Sequence, residues 1–174
     1  MNRSGVIRLS FLLCTVLATT VPTPTATGGH GGTNCDTFYD NMGDAELYFG
    51  GAGCDIAWMY DMADDAYGEG GADDLHMGDG DDYAEGGQGG DWVYGGANGN
   101  GFDWLYGSAD NDWILDRDGP DGQDTLCGKS GDDYLETGDG DNADYLYGGD
   151  GFDTTDDGSD SDVVSGGDHS THCV

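Results

Sequence analysis

An aspartate recurs along most of this chain at intervals of nine residues. When the chain is divided into consecutive units starting at Asn41, the sixth position is aspartate in every unit from the second to the thirteenth, and Glu46 takes that place in the first. Three units are longer (95–106, 116–127 and 137–147), but in each of them three residues still follow the aspartate, as in the nine-residue units. A period this regular predicts a solenoid of stacked repeats. The recurring residues are Asp55, Asp64, Asp73, Asp82, Asp91, Asp103, Asp112, Asp124, Asp133, Asp144, Asp153 and Asp162.

Each unit reads as a turn followed by a short strand. The clearest copy is Gly86–Tyr94, with the pattern Gly-Gly-x-Gly-x-Asp-x-apolar-x. Glycine permits the positive φ angles that tight turns need, so the first six positions predict a turn. In a three-residue strand only the middle side chain points inward, which predicts a core built from position eight. That position holds Tyr48, Ala57, Ala66, Leu75, Ala84, Val93, Leu105, Ile114, Leu126, Leu135, Leu146, Thr155 and Val164.

Residues 41–165 resemble the RTX, or haemolysin-type, calcium-binding nonapeptide repeat. The resemblance implies an all-β fold, a right-handed parallel β-roll (a β-solenoid) with two sheets of short strands and Ca²⁺ in the turns. It implies about ten ions, each shared by two successive turns on one edge. The side-chain ligands would be the twelve aspartates. The carbonyl ligands would come from Gly51, Gly53, Gly71, Gly80, Gly87, Gly89, Gly131, Gly149 and Gly151.

Alternation of the units assigns each turn to one of two edges of the roll. If Asn41–Phe49 is unit one, the three longer units are the seventh, ninth and eleventh. All are odd-numbered, so their turns should stack on the same edge. The even-numbered edge should therefore be the more regular calcium ladder.

The charge of the chain restricts its partners. It has 36 acidic and 4 basic residues and a formal net charge of −32. Nucleic acid and anionic membrane surfaces both require the Lys and Arg that are scarce here. A compact chain with this charge repels itself, and one apolar side chain per unit is a small core. We therefore expect a hard dication with oxygen ligands to bind, and folding to depend on it.

The N-terminal residues 1–26 have the order of a secretory signal peptide: Arg3 and Arg8, then an apolar run, then small residues. Cleavage after Ala18 and cleavage after Ala26 both fit. The apolar run is too short to span a membrane, so secretion without membrane insertion is expected.

Between the signal peptide and the repeats, residues 27–40 form a predicted cap. It contains a degenerate unit at Gly32–Asp40, which brings Cys35 near Cys54 and makes a disulfide between them plausible in an exported protein. Residues 166–174 are a decayed last repeat and tail. The pairing of Cys127 and Cys173 stays open.

No catalytic motif accompanies the repeats, so no enzymatic activity is expected. The sequence contains no His-Glu-x-x-His, no Gly-x-Ser-x-Gly and no phosphate-binding loop. The segment His169–Cys173 could hold a transition metal, although a ragged C-terminal tail is the simpler interpretation.

Aromatic residues occupy outward positions on successive coils. Trp92, Trp113 and Tyr134 hold position seven of three consecutive even units. They would stiffen the sheet by stacking, or bind a glycan or protein partner. The leading hypothesis is a secreted calcium-binding module with a structural or interaction role. The alternatives are a surface adhesin or self-assembling module that uses these aromatics, and an accessory remnant of an RTX toxin or secreted hydrolase.

Overall fold

The computed structural model describes residues 33–40, 45–96, 101–117, 122–138, 143–158 and 163–165. Within these ranges the chain forms strands and no helix. The predicted signal peptide, Asp162, the His169–Cys173 segment and the last repeat lie outside the described residues. The strands are β1 (Thr37–Tyr39), β2 (Leu47–Gly53), β3 (Ile56–Asp61), β4 (Asp65–Gly71), β5 (Asp74–Asp79), β6 (Tyr83–Gln88), β7 (Trp92–Tyr94), β8 (Trp104–Ala109), β9 (Trp113–Asp116), β10 (Thr125–Ser130), β11 (Tyr134–Thr137), β12 (Tyr145–Asp150), β13 (Thr154–Asp156) and β14 (Val163–Ser165).

The strands alternate between two parallel sheets of seven strands each. The first sheet has the order β1-β3-β5-β7-β9-β11-β13, and the second runs from β14 through the even strands to β2. Every strand therefore pairs with the strand two further along the chain, as in a solenoid with two strands per coil. The predicted all-β parallel solenoid is confirmed.

We name the two edges by the units whose turns form them. The even edge leads from the second sheet to the first (residues 50–55, 68–73, 86–91, 107–112, 128–133 and 148–153). The odd edge leads from the first sheet to the second, and its described residues are 45–46, 59–64, 77–82, 95–96, 101–103, 116–117, 122–124, 137–138, 143–144 and 157–158. The three longer turns all lie on the odd edge, as predicted. The even-numbered strands β2, β4, β6, β8, β10 and β12 end at the even edge and have six or seven residues. The odd-numbered strands β7, β9, β11 and β13 have three or four.

The core is a stack of position-eight side chains. Those from Tyr48 to Leu146 are buried, and they align in register across the coils, with Leu75 paired to Val93 and Val93 to Ile114. The stack opens at the C-terminal end, where Val164 is 40% exposed.

The core is wider than one side chain per unit, because Met59 and Met77 are also fully buried. Both stand at position one of odd-edge turns and point inward, where they fill the space left by the small alanines at position eight of the N-terminal coils. Position nine also differs from the outward orientation predicted for it. Leu115 and Cys127 are buried there, and Cys127 is disulfide-bonded to a partner outside the described residues.

The strands extend beyond the predicted three residues, into the turns of the even edge. Gly51 pairs with Glu69 and Ala52 with Gly70, so the backbone ladder continues through turn positions two and three. Position two has a positive φ even without glycine, with 71° at Glu69, 93° at Ser108 and 73° at Lys129. L-residues rarely adopt this conformation, so the stacking of the coils imposes it.

The N-terminal cap differs by one residue from its predicted register. Thr37 pairs with Ile56, so the degenerate unit spans 31–39 rather than Gly32–Asp40. This register places Cys35 beside Cys54, and the two form a disulfide with Cα atoms 4.4 Å apart. It also moves Asp40 from the end of the cap to position one of the next odd-edge turn. That turn has one residue more than the repeat, so counting back in steps of nine places the cap one residue out of register.

We predict that Leu105→Ala lowers the free energy of unfolding in saturating Ca²⁺ by about 2–5 kcal/mol, because Leu105 is fully buried and its truncation leaves a cavity. Leu47→Ala removes an exposed leucine, so a change within about 0.5 kcal/mol is expected. Urea unfolding at a fixed Ca²⁺ concentration compares the two. Equal losses would contradict the core described above.

Candidate metal sites along the aspartate ladders

The position-six aspartates form one ladder on each edge. On the even edge the ladder contains Asp55, Asp73, Asp91, Asp112, Asp133 and Asp153; on the odd edge it contains Asp64, Asp82, Asp103, Asp124 and Asp144 after Glu46. All of these aspartates are buried except Asp144 and Asp153, which are partly exposed. The predicted ligand Asp162 lies outside the described residues.

One carboxylate oxygen of each ladder aspartate binds the preceding coil. The backbone N–H of Asp55 donates to Oδ1 of Asp73 at 2.7 Å, and that of Asp73 donates to Oδ1 of Asp91 at 2.8 Å. The odd edge has the same bond, for example from the N–H of Asp64 to Oδ1 of Asp82 at 2.8 Å. These bonds tie successive coils together and use one of the two oxygens.

In eight of these aspartates the second oxygen has no such partner. Oδ2 is buried and accepts no hydrogen bond from any described residue in all six even-edge aspartates, and also in Asp64 and Asp82 on the odd edge. A buried polar atom left without a partner costs about 1–3 kcal/mol, and more if it is charged. Each buried Oδ2 therefore requires a ligand or a proton.

The orphaned oxygens point into a space that glycine keeps open. A Cβ atom at Gly50 would lie 2.7 Å from Oδ2 of Asp55 and 2.7 Å from the carbonyl oxygen of Gly68 in the next coil. A Cβ at Gly128 would be similarly close to Oδ2 of Asp133 and to the carbonyl oxygen of Gly148. Position one is glycine in all six described even-edge turns: Gly50, Gly68, Gly86, Gly107, Gly128 and Gly148. A carboxylate oxygen and a carbonyl oxygen thus converge where no side chain fits.

The predicted carbonyl ligands lie at positions two and four of the turns. Most of these glycines have a positive φ: Gly51, Gly71, Gly87, Gly89, Gly131, Gly149 and Gly151. The carbonyl oxygen of Gly53 faces the Cα of Gly71, and that of Gly131 faces the Cα of Gly151. These position-four carbonyls therefore lie between coils. The carbonyls that lie beside Oδ2 belong to position one, which sequence analysis did not select.

Burial makes the ladder carboxylates hard to ionise. Desolvation, with smaller contributions from neighbouring carboxylates, raises the pKa of Asp82 and Asp112 from 3.8 to about 8 and that of Asp73 to about 7. Desolvation also raises the pKa of Asp64, Asp91 and Asp133 to about 6. The backbone N–H donated to each Oδ1 opposes these shifts without cancelling them. A bound cation would replace the proton.

Two further acidic clusters include residues outside the ladders. The carboxylate oxygens of Asp40, Glu46 and Asp64 lie within 4.8 Å of one another, as do those of Asp103, Asp116 and Asp124. Sequence analysis missed Asp40 and Asp116 because both replace the glycine of position one. Asp116 was visible as the only acid at position one of a unit between 41 and 156, whereas Asp40 required the corrected register.

The outward aromatics stack on one another. Trp92 and Trp113 have ring centroids 4.8 Å apart, and Trp113 and Tyr134 are separated by the same distance. Trp58, His76 and Tyr94 form a second stack, in which the ring planes are nearly parallel. Trp92 and Trp113 remain 41% and 42% exposed. Because ring faces contact each other, the edges of the rings are what this surface presents. A glycan or protein partner at Trp92, Trp113 and Tyr134 stays a prediction.

No family model matches the chain, and no curated protein or solved structure is significantly similar to it. The repeat geometry therefore carries the functional argument alone. Among the residues the structure describes, no helix has the length and apolar character needed to cross a bilayer.

The raised pKa values predict how the metal-free fold responds to pH. The folded chain holds protons that the unfolded chain releases, so this stabilisation is fully present below about pH 4 and is lost as pH rises through 6 to 8. The melting temperature in chelator-treated buffer should fall as the pH rises from 5, until the metal-free fold is lost near pH 8. Asp112→Asn removes one such group and should flatten the decline. A melting temperature that rises over this range would contradict the assignment.

Proposed function

We propose that this chain is a secreted calcium-binding β-roll of the RTX type that folds when Ca²⁺ binds and serves as a structural or interaction module without catalytic activity. One observation carries the proposal: all six even-edge aspartates bury a carboxylate oxygen that has no hydrogen-bond partner among the described residues.

The ligand chemistry favours calcium. Each turn offers carboxylate and carbonyl oxygens, and successive coils can contribute to the same ion. Ca²⁺ accepts six to eight such oxygens in a flexible shell, whereas Mg²⁺ demands a near-ideal octahedron and retains waters. The donor set contains no sulfur and no histidine, which are the ligands that zinc and copper prefer.

Weak core packing supports the dependence of folding on calcium. Three position-eight residues of the N-terminal coils, Ala57, Ala66 and Ala84, bury very little apolar surface. The ladders meanwhile bring like charges within one coil spacing of each other. Ca²⁺ would neutralise that repulsion and cross-link coils at the same time, so its binding energy would be folding energy.

Secretion is supported by residues 1–26 and by the cysteines. A disulfide between Cys35 and Cys54 suits an oxidising compartment, and disulfides are rare in the cytosol. The RTX assignment is supported by the nine-residue spacing and by the alternation of the strands between two parallel sheets.

Far-UV circular dichroism during a CaCl₂ titration tests the coupling of folding to calcium. The purified protein should change cooperatively from coil to β-structure at roughly 10⁻⁴–10⁻³ M Ca²⁺, the range of other extracellular calcium modules. MgCl₂ at the same concentrations should leave the coil spectrum unchanged. A chain that is already β-structured in EDTA at pH 8 would refute this part of the proposal.

Asp133→Asn isolates the role of an orphaned oxygen. Asparagine retains an Oδ1 acceptor for the backbone N–H of Asp112, and it removes the charge and the second oxygen. We expect the variant to raise the melting temperature of the metal-free chain at pH 6, where protonated ladder carboxylates still support the fold, and to weaken calcium binding about tenfold at pH 8. Calorimetry in chelator and in calcium measures both.

The matched control for this substitution is Asp132→Asn. Asp132 is exposed, and asparagine can still accept the N–H of Phe152 through Oδ1. This variant should leave the metal-free stability and the calcium affinity nearly unchanged. Equal effects of the two substitutions would show that net charge matters and that the ladder oxygens have no special role.

A further inference from the structure

The two edges of the solenoid differ at position one of their turns. On the even edge this position is always glycine among the described turns. On the odd edge the same row, followed from coil to coil, contains Asp40, Met59, Met77, Gly95, Asp116, Thr137 and Asp157. Side chains in this row point inward, since Met59 and Met77 are fully buried. An aspartate in the row therefore brings a carboxylate inside the odd edge, at a place where the repeat otherwise has no side-chain ligand.

Asp40 is the most deeply buried instance. It is 7% exposed, and neither of its carboxylate oxygens has a hydrogen-bond partner among the described residues. Its oxygens lie within 4.8 Å of those of Glu46 and Asp64. Oδ2 of Asp64 is also buried and unpartnered. Three acidic groups therefore converge, and the two oxygens of Asp40 and Oδ2 of Asp64 are buried there without a hydrogen-bond partner among the described residues.

The arrangement recurs at Asp116. Its oxygens lie within 4.8 Å of those of Asp103 and Asp124. The carboxylate leans over Gly95, where a Cβ atom would lie 2.8 Å from Oδ1 of Asp116. On the opposite side, Thr137 is in register with Asp116 and is 3% exposed, and its hydroxyl has no hydrogen-bond partner among the described residues. A buried, unpartnered oxygen therefore borders this cluster as well.

We propose that two position-one aspartates of the odd edge each create an interior site for a hard divalent cation, Ca²⁺, held mainly by side-chain carboxylates: one at Asp40, Glu46 and Asp64, the other at Asp103, Asp116 and Asp124. The inference rests on the proposed function only in that the same ion fills the turns. In a turn, one position-six carboxylate per coil works with backbone carbonyls. Here three carboxylates meet, and affinity for Ca²⁺ rises with the number of charged ligands.

These two sites include odd-edge ladder residues and should fill before the rest of the ladders. The first lies in the coil next to the Cys35–Cys54 disulfide, at the N-terminal end of the roll. The second lies among the longer turns, where β9 and β11 are short and pair over fewer residues. An ion in each would stabilise a part of the solenoid where the backbone ladder is least extensive.

Counting bound Ca²⁺ tests the inference. Mass spectrometry of the metal content after equilibrium dialysis of the purified protein should detect two ions that bind about tenfold more tightly than the rest. Asp40→Asn and Asp116→Asn should each remove one of these two ions and leave the weaker class intact. The control Asp65→Asn removes an exposed carboxylate next to Asp64 and should retain both.

Folding of each variant is checked by circular dichroism in saturating calcium. If Asp40→Asn does not fold, Asp116→Gly tests the second site instead. Glycine should be tolerated there, because Gly95 holds the same position in the preceding coil of the row. A folded variant that retains both tight ions overturns the inference, as does a wild-type protein whose ladders bind calcium in a single class. A wild-type protein that binds no calcium refutes the proposed function as well.

Discussion

At each turn the solenoid buries a carboxylate, and one oxygen of that carboxylate satisfies a backbone N–H of the preceding coil while the other, along the whole described even edge, has no partner. This division of roles accounts for much of the repeat. Aspartate is short enough to reach the neighbouring backbone and the interior of its own turn together. On the even edge glycine is required at position one because Oδ2 occupies the space that a Cβ would fill.

The apolar core is distributed unevenly along the roll. The C-terminal coils contain Leu105, Leu126, Leu135 and Leu146 at position eight, while the N-terminal coils rely on alanines, two methionines and a disulfide. The bases in the described part of the chain do little to offset the acids. Lys129 contacts Glu85 at 3.3 Å and Arg117 pairs with Glu136. Most of the ladder charge therefore depends on protons or on metal ions for neutralisation.

The nine-residue period predicted a solenoid, an inward position eight and longer turns on one edge, and the resemblance to the RTX repeat implied the two alternating parallel sheets. Neither could predict the features that depend on local backbone geometry. The single extra residue before Glu46 shifts Asp40 into a new position without disturbing the later repeats. Whether position one points inward follows from the turn conformation, so the burial of Met59 and Met77 and the clusters at Asp40 and Asp116 emerged only from the structure. Backbone pairing through positive-φ residues such as Glu69 was equally hidden, because the position usually holds glycine.

The central claim is that a calcium ion satisfies each buried Oδ2 of the ladders. Long-wavelength anomalous diffraction from crystals grown in CaCl₂ tests it most directly, since calcium scatters anomalously there and water does not. The account predicts a row of anomalous peaks along the even edge, about 4.8 Å apart, each within 2.3–2.6 Å of an aspartate oxygen as calcium coordination requires. The account would be contradicted by an even edge without peaks, in which each Oδ2 is protonated and donates a hydrogen bond to a carbonyl oxygen.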